Sequence, residues 1–277
     1  MDIRRARECD MNIIKEMFDL YKGRDIPVEL TKQIQITKFS VHTNEKNVDE
    51  YLKAIRQDIR KIFLIVSEIE KLFDSESEDN CENSQIMALL IEYIFSKYRS
   101  ILEYVYQIAD LVLEISYSRN NLKDYEKYNE ILAFLKKNVQ EEEKKKVLNT
   151  KWFSDIRKTR NSIIHNGATC IVFSDKKELM FQIYDLDTKE LVIDKNMYLH
   201  NGNCIYFGYF VVLNISYLFY FINIVFSLIA QTGEINLELE TMFKLACPEK
   251  GISEHILQDM YMKLVKNIID EYVNSKA

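Results

Sequence analysis

From Pro27 to Gly167 the chain runs through 139 consecutive residues with neither glycine nor proline. Those two residues are the usual means of turning a chain sharply or of breaking a helix. All 277 residues contain only 6 Gly and 2 Pro. That shortage argues against a β-sandwich or barrel, which needs many tight turns. Long helices joined by polar turns are the natural solution. Hydrophobic residues make up 47% and charged residues 29%, a globular balance that excludes wholesale disorder and allows a sizeable core.

The spacing of apolar residues predicts where the helices lie. Val48, Leu52, Ile55, Ile59, Ile62, Phe63, Val66 and Ile69 recur at three- and four-residue steps, the mark of an amphipathic helix. The acidic stretch 75–84 reads as a loop. A second helix is expected through 86–115, and Asn120-Asn121 breaks it. A third covers 125–135 and runs on into the block Glu141–Lys146, a solvated helix face. A fourth begins near Asn149 or Thr150 and stops at Asn166-Gly167. Beyond Gly167, three short segments rich in β-branched and aromatic residues, Thr169–Phe173, Glu178–Tyr184 and Glu190–Ile193, read as a three-stranded meander. An amphipathic helix over 253–273 closes the chain. The expected fold is therefore mainly α, a helical bundle with a small three-stranded β-meander insertion at 168–194. Residues 46–277 form the helical domain. Residues 1–45 form an N-terminal segment with a short helix around 11–21 and a strand at 34–41.

No charged residue occurs from Asn201 to Gly233. That length is enough to span a bilayer. However, Asn214, Ser216, Asn223 and Ser227 are scattered through it, and Tyr217 and Tyr220 fall near its middle, whereas tyrosines favour the membrane interface. A buried core helix is expected, with no membrane partner. Five cysteines at 9, 81, 170, 204 and 247 share no metal-ligand spacing, and the start lacks an apolar signal region. These features point to a reducing cytoplasm, free thiols and no metal or cofactor site.

The sequence has no HExxH, GxSxG, P-loop or GxGxxG pattern. One segment does gather groups that could carry chemistry, Asp155 to Gly167. On a helix, Arg157, Asn161 and His165 form one stripe, with Trp152, Ile156 and Ile163 roughly opposite and Arg160 at the edge of that apolar face. His165 sits in the last turn, where the helix dipole favours a positive charge. An imidazole can act as general acid or base, and a guanidinium can hold a phosphate through paired hydrogen bonds. Together they are the parts for metal-free RNA cleavage by a ribose 2′-hydroxyl. Residues 144–160 carry seven basic side chains against Asp155 alone, although the whole chain has a formal charge of −6. Arg157 and Lys158 are the candidates for binding the phosphate chain. Arg160 and His165 lie about 140° apart around a straight helix, and one imidazole cannot easily serve both sides of an in-line displacement. A homodimer with a composite site would supply the second copy.

The run Arg160-Asn161-Ser162-Ile163-Ile164-His165 resembles the R-x4–6-H motif of the HEPN superfamily, which often has a polar residue after the arginine. The resemblance covers about 46–230, and a β insertion like that at 168–194 occurs in one branch of these domains. It implies a helical, metal-independent endoribonuclease acting as a dimer, with Arg160 and His165 as the catalytic pair and Asn161 at the polar position. Members serve as toxins and antiviral effectors, so an antitoxin or regulatory protein is an implied partner beside RNA. Other members have lost catalysis. The alternative is an inert helical interaction or nucleotide-binding module, with Arg160 held in an internal ion pair.

Overall fold

The structure is a computed structural model that describes residues 6–39, 45–75, 81–113, 115–175, 178–183, 204–246 and 255–276. The described chain is mainly α-helical with a small antiparallel sheet. Helices α1 (Glu8–Tyr21) and α2 (Ile26–Ile36) lead into the two-residue strand β1 (Thr37–Lys38). Two long helices follow, α3 (Glu45–Asp74) and α4 (Cys81–Val112), then α5 (Asp124–Lys137) and α6 (Glu142–Leu148). A 3-10 turn at Lys151–Phe153 opens onto α7 (Ser154–Asn166). Strands β2 (Cys170–Asp175), β3 (Glu178–Ile183) and β4 (Ile205–Tyr206) form the sheet in the order β2-β3-β4, antiparallel throughout. The apolar helix α8 (Phe207–Ala230), strand β5 (Glu234–Ile235) and helices α9 (Leu237–Ala246) and α10 (His255–Lys276) complete the fold.

Ile205–Tyr206 pairs with β3 as the third described strand, and the strand expected at Glu190–Ile193 lies outside the described residues. Of the strand expected at 34–41, residues 34–36 are the last turn of α2, and 40–41 lie outside the described residues. Asp25 caps α2 by accepting from the Val28 amide at 3.1 Å, and Pro27 fits the first turn. Only Thr37 and Lys38 extend, pairing with Ile235 and Glu234. Gly233 is required beside that ladder, because a Cβ there would sit 2.7 Å from the Lys38 carbonyl oxygen. The third expected helix is two. The chain breaks at Asn138, whose amide returns to the Leu135 carbonyl, and α6 starts afresh at Glu142.

Helix α8 is the centre of the core. By length and composition it could cross a membrane, yet 83% of its most apolar stretch is buried within the fold. It packs against α1, α2, α4, α6 and α10. Three of its buried polar side chains make hydrogen bonds inside the protein, although the Asn214 side-chain oxygen is left without a partner. Tyr217 donates to Asp10 at 2.6 Å, Ser216 meets the Tyr261 hydroxyl at 3.4 Å, and the Asn214 amide returns to the Phe210 carbonyl at 2.8 Å. Such satisfaction is what allows buried polar groups in a core.

Helices α3 and α4 pack as an antiparallel hairpin; Ile55, Ile59 and Val66 of the stripe read from the sequence are buried, and so are Phe95 and Tyr98 of α4. Asp58 is buried in the seam and accepts from Lys97 at 3.0 Å and Lys61 at 3.1 Å. Near the end of α3, burial and then Asp74 push the Glu70 carboxyl up to about 6, against the pull of Lys263. A carboxyl whose folded value exceeds its unfolded one favours folding while protonated. Its contribution therefore falls as pH rises from 4.5 to about 6. Glu70→Gln is expected to raise the melting temperature above pH 6 and to leave it unchanged near pH 4, read by thermal unfolding at both.

Candidate functional site

Helix α7 is built as its sequence pattern requires. Trp152, Ile156 and Thr159 are buried, and Ile163 packs half-buried against the core. The Trp152 indole donates to the Val147 carbonyl at 2.9 Å and packs on Tyr217 and Phe221 of α8. These contacts fix the start of the helix. Its end is a glycine cap, with Gly167 at φ 67° and the amides of Gly167 and Ala168 both returning to the Ser162 carbonyl. A side chain other than glycine would be strained there. Ala168 is buried and carries the chain into β2.

The candidate residues occupy the outward half of this helix. Arg157, Lys158 and His165 are exposed, and Arg160 and Asn161 are half-buried. The Asn161 side-chain oxygen accepts from two guanidinium groups, Arg160 Nη1 at 3.2 Å and Arg99 Nη1 at 3.2 Å. Arg99 comes from α4 and also bonds Glu103 at 2.7 Å. One carboxamide oxygen thus holds two cations side by side at the seam of α4 and α7. Among the described residues Arg160 makes no ion pair, and His165 makes neither a hydrogen bond nor an ion pair. A guanidinium in this state keeps most of its donors for a ligand.

Arg160 and His165 are not brought together within one chain. Helix α7 continues without a break through both, so they remain about 140° apart around its axis. The structure instead supplies Arg99, for which the sequence allows a place at the cleft or on a helix surface equally. Arg99 lies 62 positions before Asn161, and only the packing of α4 on α7 joins them. Its neighbours have other roles: Tyr98 is fully buried, and Lys97 pairs with Asp58 while lying 5.0 Å from the centre of the Tyr93 ring. The basic block ahead of the motif is partly neutralised, since Lys144 pairs with Glu141 and Lys145 with Glu142. The positive charge available near the motif therefore comes from α7 rather than from that block, and Arg99 is itself paired with Glu103.

Cys170 is buried at the start of β2, where burial and then Glu92 push its thiol up, away from the reactive thiolate. Glu92 accepts from the Cys170 amide at 2.9 Å, which ties α4 to the sheet. Among the described residues no three His, Cys, Asp or Glu side chains gather into a set able to ligate a metal ion. Compared with protein-family models, curated proteins and solved structures, the chain matches none.

Proposed function

We propose that the protein is an endoribonuclease that cleaves RNA by attack of a ribose 2′-hydroxyl on the adjacent phosphorus, without a metal ion. The observation that carries this reading is the Asn161-bridged pair of guanidiniums on the helix that presents His165 to solvent. An imidazole takes the 2′-hydroxyl proton as the 2′-oxygen bonds to phosphorus. Arg160, supported by Arg99, stabilises the added negative charge on the phosphate oxygens. A second imidazole, now protonated, gives its proton to the departing 5′-oxygen. The products are a 2′,3′-cyclic phosphate and a 5′-hydroxyl.

The two imidazoles are His165 and His165 of the partner subunit in a two-fold dimer. Exposed apolar side chains near the motif suit such an interface. Ile164 is 47% exposed next to His165, Leu89 and Tyr93 lie one turn apart on α4, and Ile171 is exposed on β2. The inert-module alternative calls for Arg160 in an internal ion pair, and its bond is to a neutral carboxamide. A nuclease of this kind needs restraint in the cell that makes it, which is the place for a regulatory protein partner.

The chemistry is tested by incubating the full chain with single-stranded RNA in excess chelator and identifying the product ends. Cyclic phosphate and 5′-hydroxyl ends are expected; no cleavage by folded protein across a panel of RNAs overturns the proposal. Asn161→Asp is a sharper probe. A carboxylate between Arg99 and Arg160 would bind both, so stability is expected to rise by about 1 kcal/mol. Cleavage is expected to fall by at least about tenfold, because Arg160 is neutralised. Melting and cleavage rates of one preparation check both directions.

A further inference from the structure

Beside the Arg99–Asn161–Arg160 cluster lies an open groove of about 710 Å³ between α3, α4, α5 and the start of α7. That volume is in the range of small-molecule sites, roughly 300–1,000 Å³. Four tyrosines from three helices line it. Tyr106 and Tyr128 stack with ring centres 4.3 Å apart and planes 12° from parallel. Tyr51 and Tyr104 stack at 5.9 Å and 28°. Tyr51, Tyr104 and Tyr128 are only part-buried, so ring surface faces the groove.

The groove has a cationic side. Arg99, Lys123 and Arg157 line it together with Glu103 and Asp124; Arg99 pairs with Glu103 at 2.7 Å, and among the described residues Arg157 makes no ion pair. Arg99 also reaches Asn161, so the groove is continuous with the candidate site. Gln107 donates to the Tyr128 hydroxyl at 3.4 Å, and Asn129 is exposed at the wall, which provides polar groups for a ligand's edge. Thr150 also lines the groove, and among the described residues it alone has a positive φ without being glycine, at 52°. Its hydroxyl donates to the neighbouring Asn149 carbonyl at 2.8 Å. A β-branched residue held in that conformation is strained, and such strain concentrates at functional sites.

We infer that this groove takes one unstacked base of a single-stranded RNA, with the adjoining phosphate drawn by Arg157 and Arg99 toward Arg160. The ligand class rests on the nuclease proposal above. Flat aromatic faces flanked by arginines are what an unpaired base and its phosphate require, whereas a paired base has no free face to offer. The groove thus restricts the substrate to loops, bulges and unpaired strands.

Binding of a short fluorescent 2′-O-methyl RNA strand to the full chain reads the groove apart from cleavage, because the blocked 2′-oxygen cannot attack. Tyr104→Leu is expected to weaken binding by about tenfold, while Tyr104→Phe binds as wild type. Arg157→Gln is expected to weaken binding and to lower the salt slope by about one. Binding of a fully paired duplex should not depend on Tyr104. A 2-aminopurine in the single strand, read on the wild-type protein, should be quenched on binding. Unquenched fluorescence, or unchanged affinity in folded Tyr104→Leu, overturns the groove. Tyr104-dependent binding without any cleavage of ordinary RNA supports the groove and counts against the nuclease chemistry. Cleavage in folded Tyr104→Leu with unchanged kcat and KM counts against the groove alone.

Discussion

Arg160→Ala and His165→Ala are each expected to stop RNA cleavage while leaving the protein folded. Loss of a general acid–base imidazole costs about 10²–10⁴ in rate, and here each cleft would lose both copies. Loss of a guanidinium that holds the transition-state charge costs about 10²–10³. Neither change should disturb the fold. His165 is exposed and unbonded among the described residues, and the Arg160 guanidinium contributes a single hydrogen bond to Asn161. Stability changes of about 1 kcal/mol or less are expected. Single-turnover cleavage and thermal melts of the same preparations measure both quantities. Wild-type cleavage by either folded variant removes that residue from the mechanism.

The largest loss of stability is expected from Phe221→Ala in α8. Phe221 is fully buried, with ring centres of Trp152 and Tyr106 each 6.1 Å away. Removing it leaves a cavity where the core meets the start of α7 and the groove wall. The expected cost is about 3–5 kcal/mol, against less than about 1.5 for Phe221→Leu with repacking. Urea unfolding gives the comparison, and an unshifted midpoint for Phe221→Ala would contradict a central position for α8.

Much of this architecture was legible because it is local. The spacing of Val48 to Ile69 dictates a buried stripe whatever else the chain does, and the Gly167 stop is a matter of one residue's φ. The apolar run from Ile205 is equally plain, although its first two residues pair with β3 before the helix begins. Helix α2 was obscured because Ile34-Gln35-Ile36 alternates like a strand, while the deciding signals, Asp25 and Pro27, lie a full helix length earlier. The break at Asn138 has neither glycine nor proline to mark it.

The site was legible only along α7. Its second arginine, Arg99, is joined to Asn161 by tertiary packing over 62 residues, a relation that no spacing rule carries. The tyrosine groove is hidden for the same reason. Tyr51, Tyr104 and Tyr128 each read as an ordinary helix residue until three helices bring them together. The divergence of Arg160 and His165 around an unbroken helix, expected from the sequence and present in the fold, is what places the weight on a second subunit.

Subunit mixing tests that composite site most directly. Wild-type protein is co-refolded with increasing His165→Ala protein at constant total concentration, and cleavage of single-stranded RNA in chelator is followed. If each cut needs an imidazole from both subunits, activity falls as the square of the wild-type fraction. A linear fall, or cleavage that persists in the pure variant, would contradict the shared cleft.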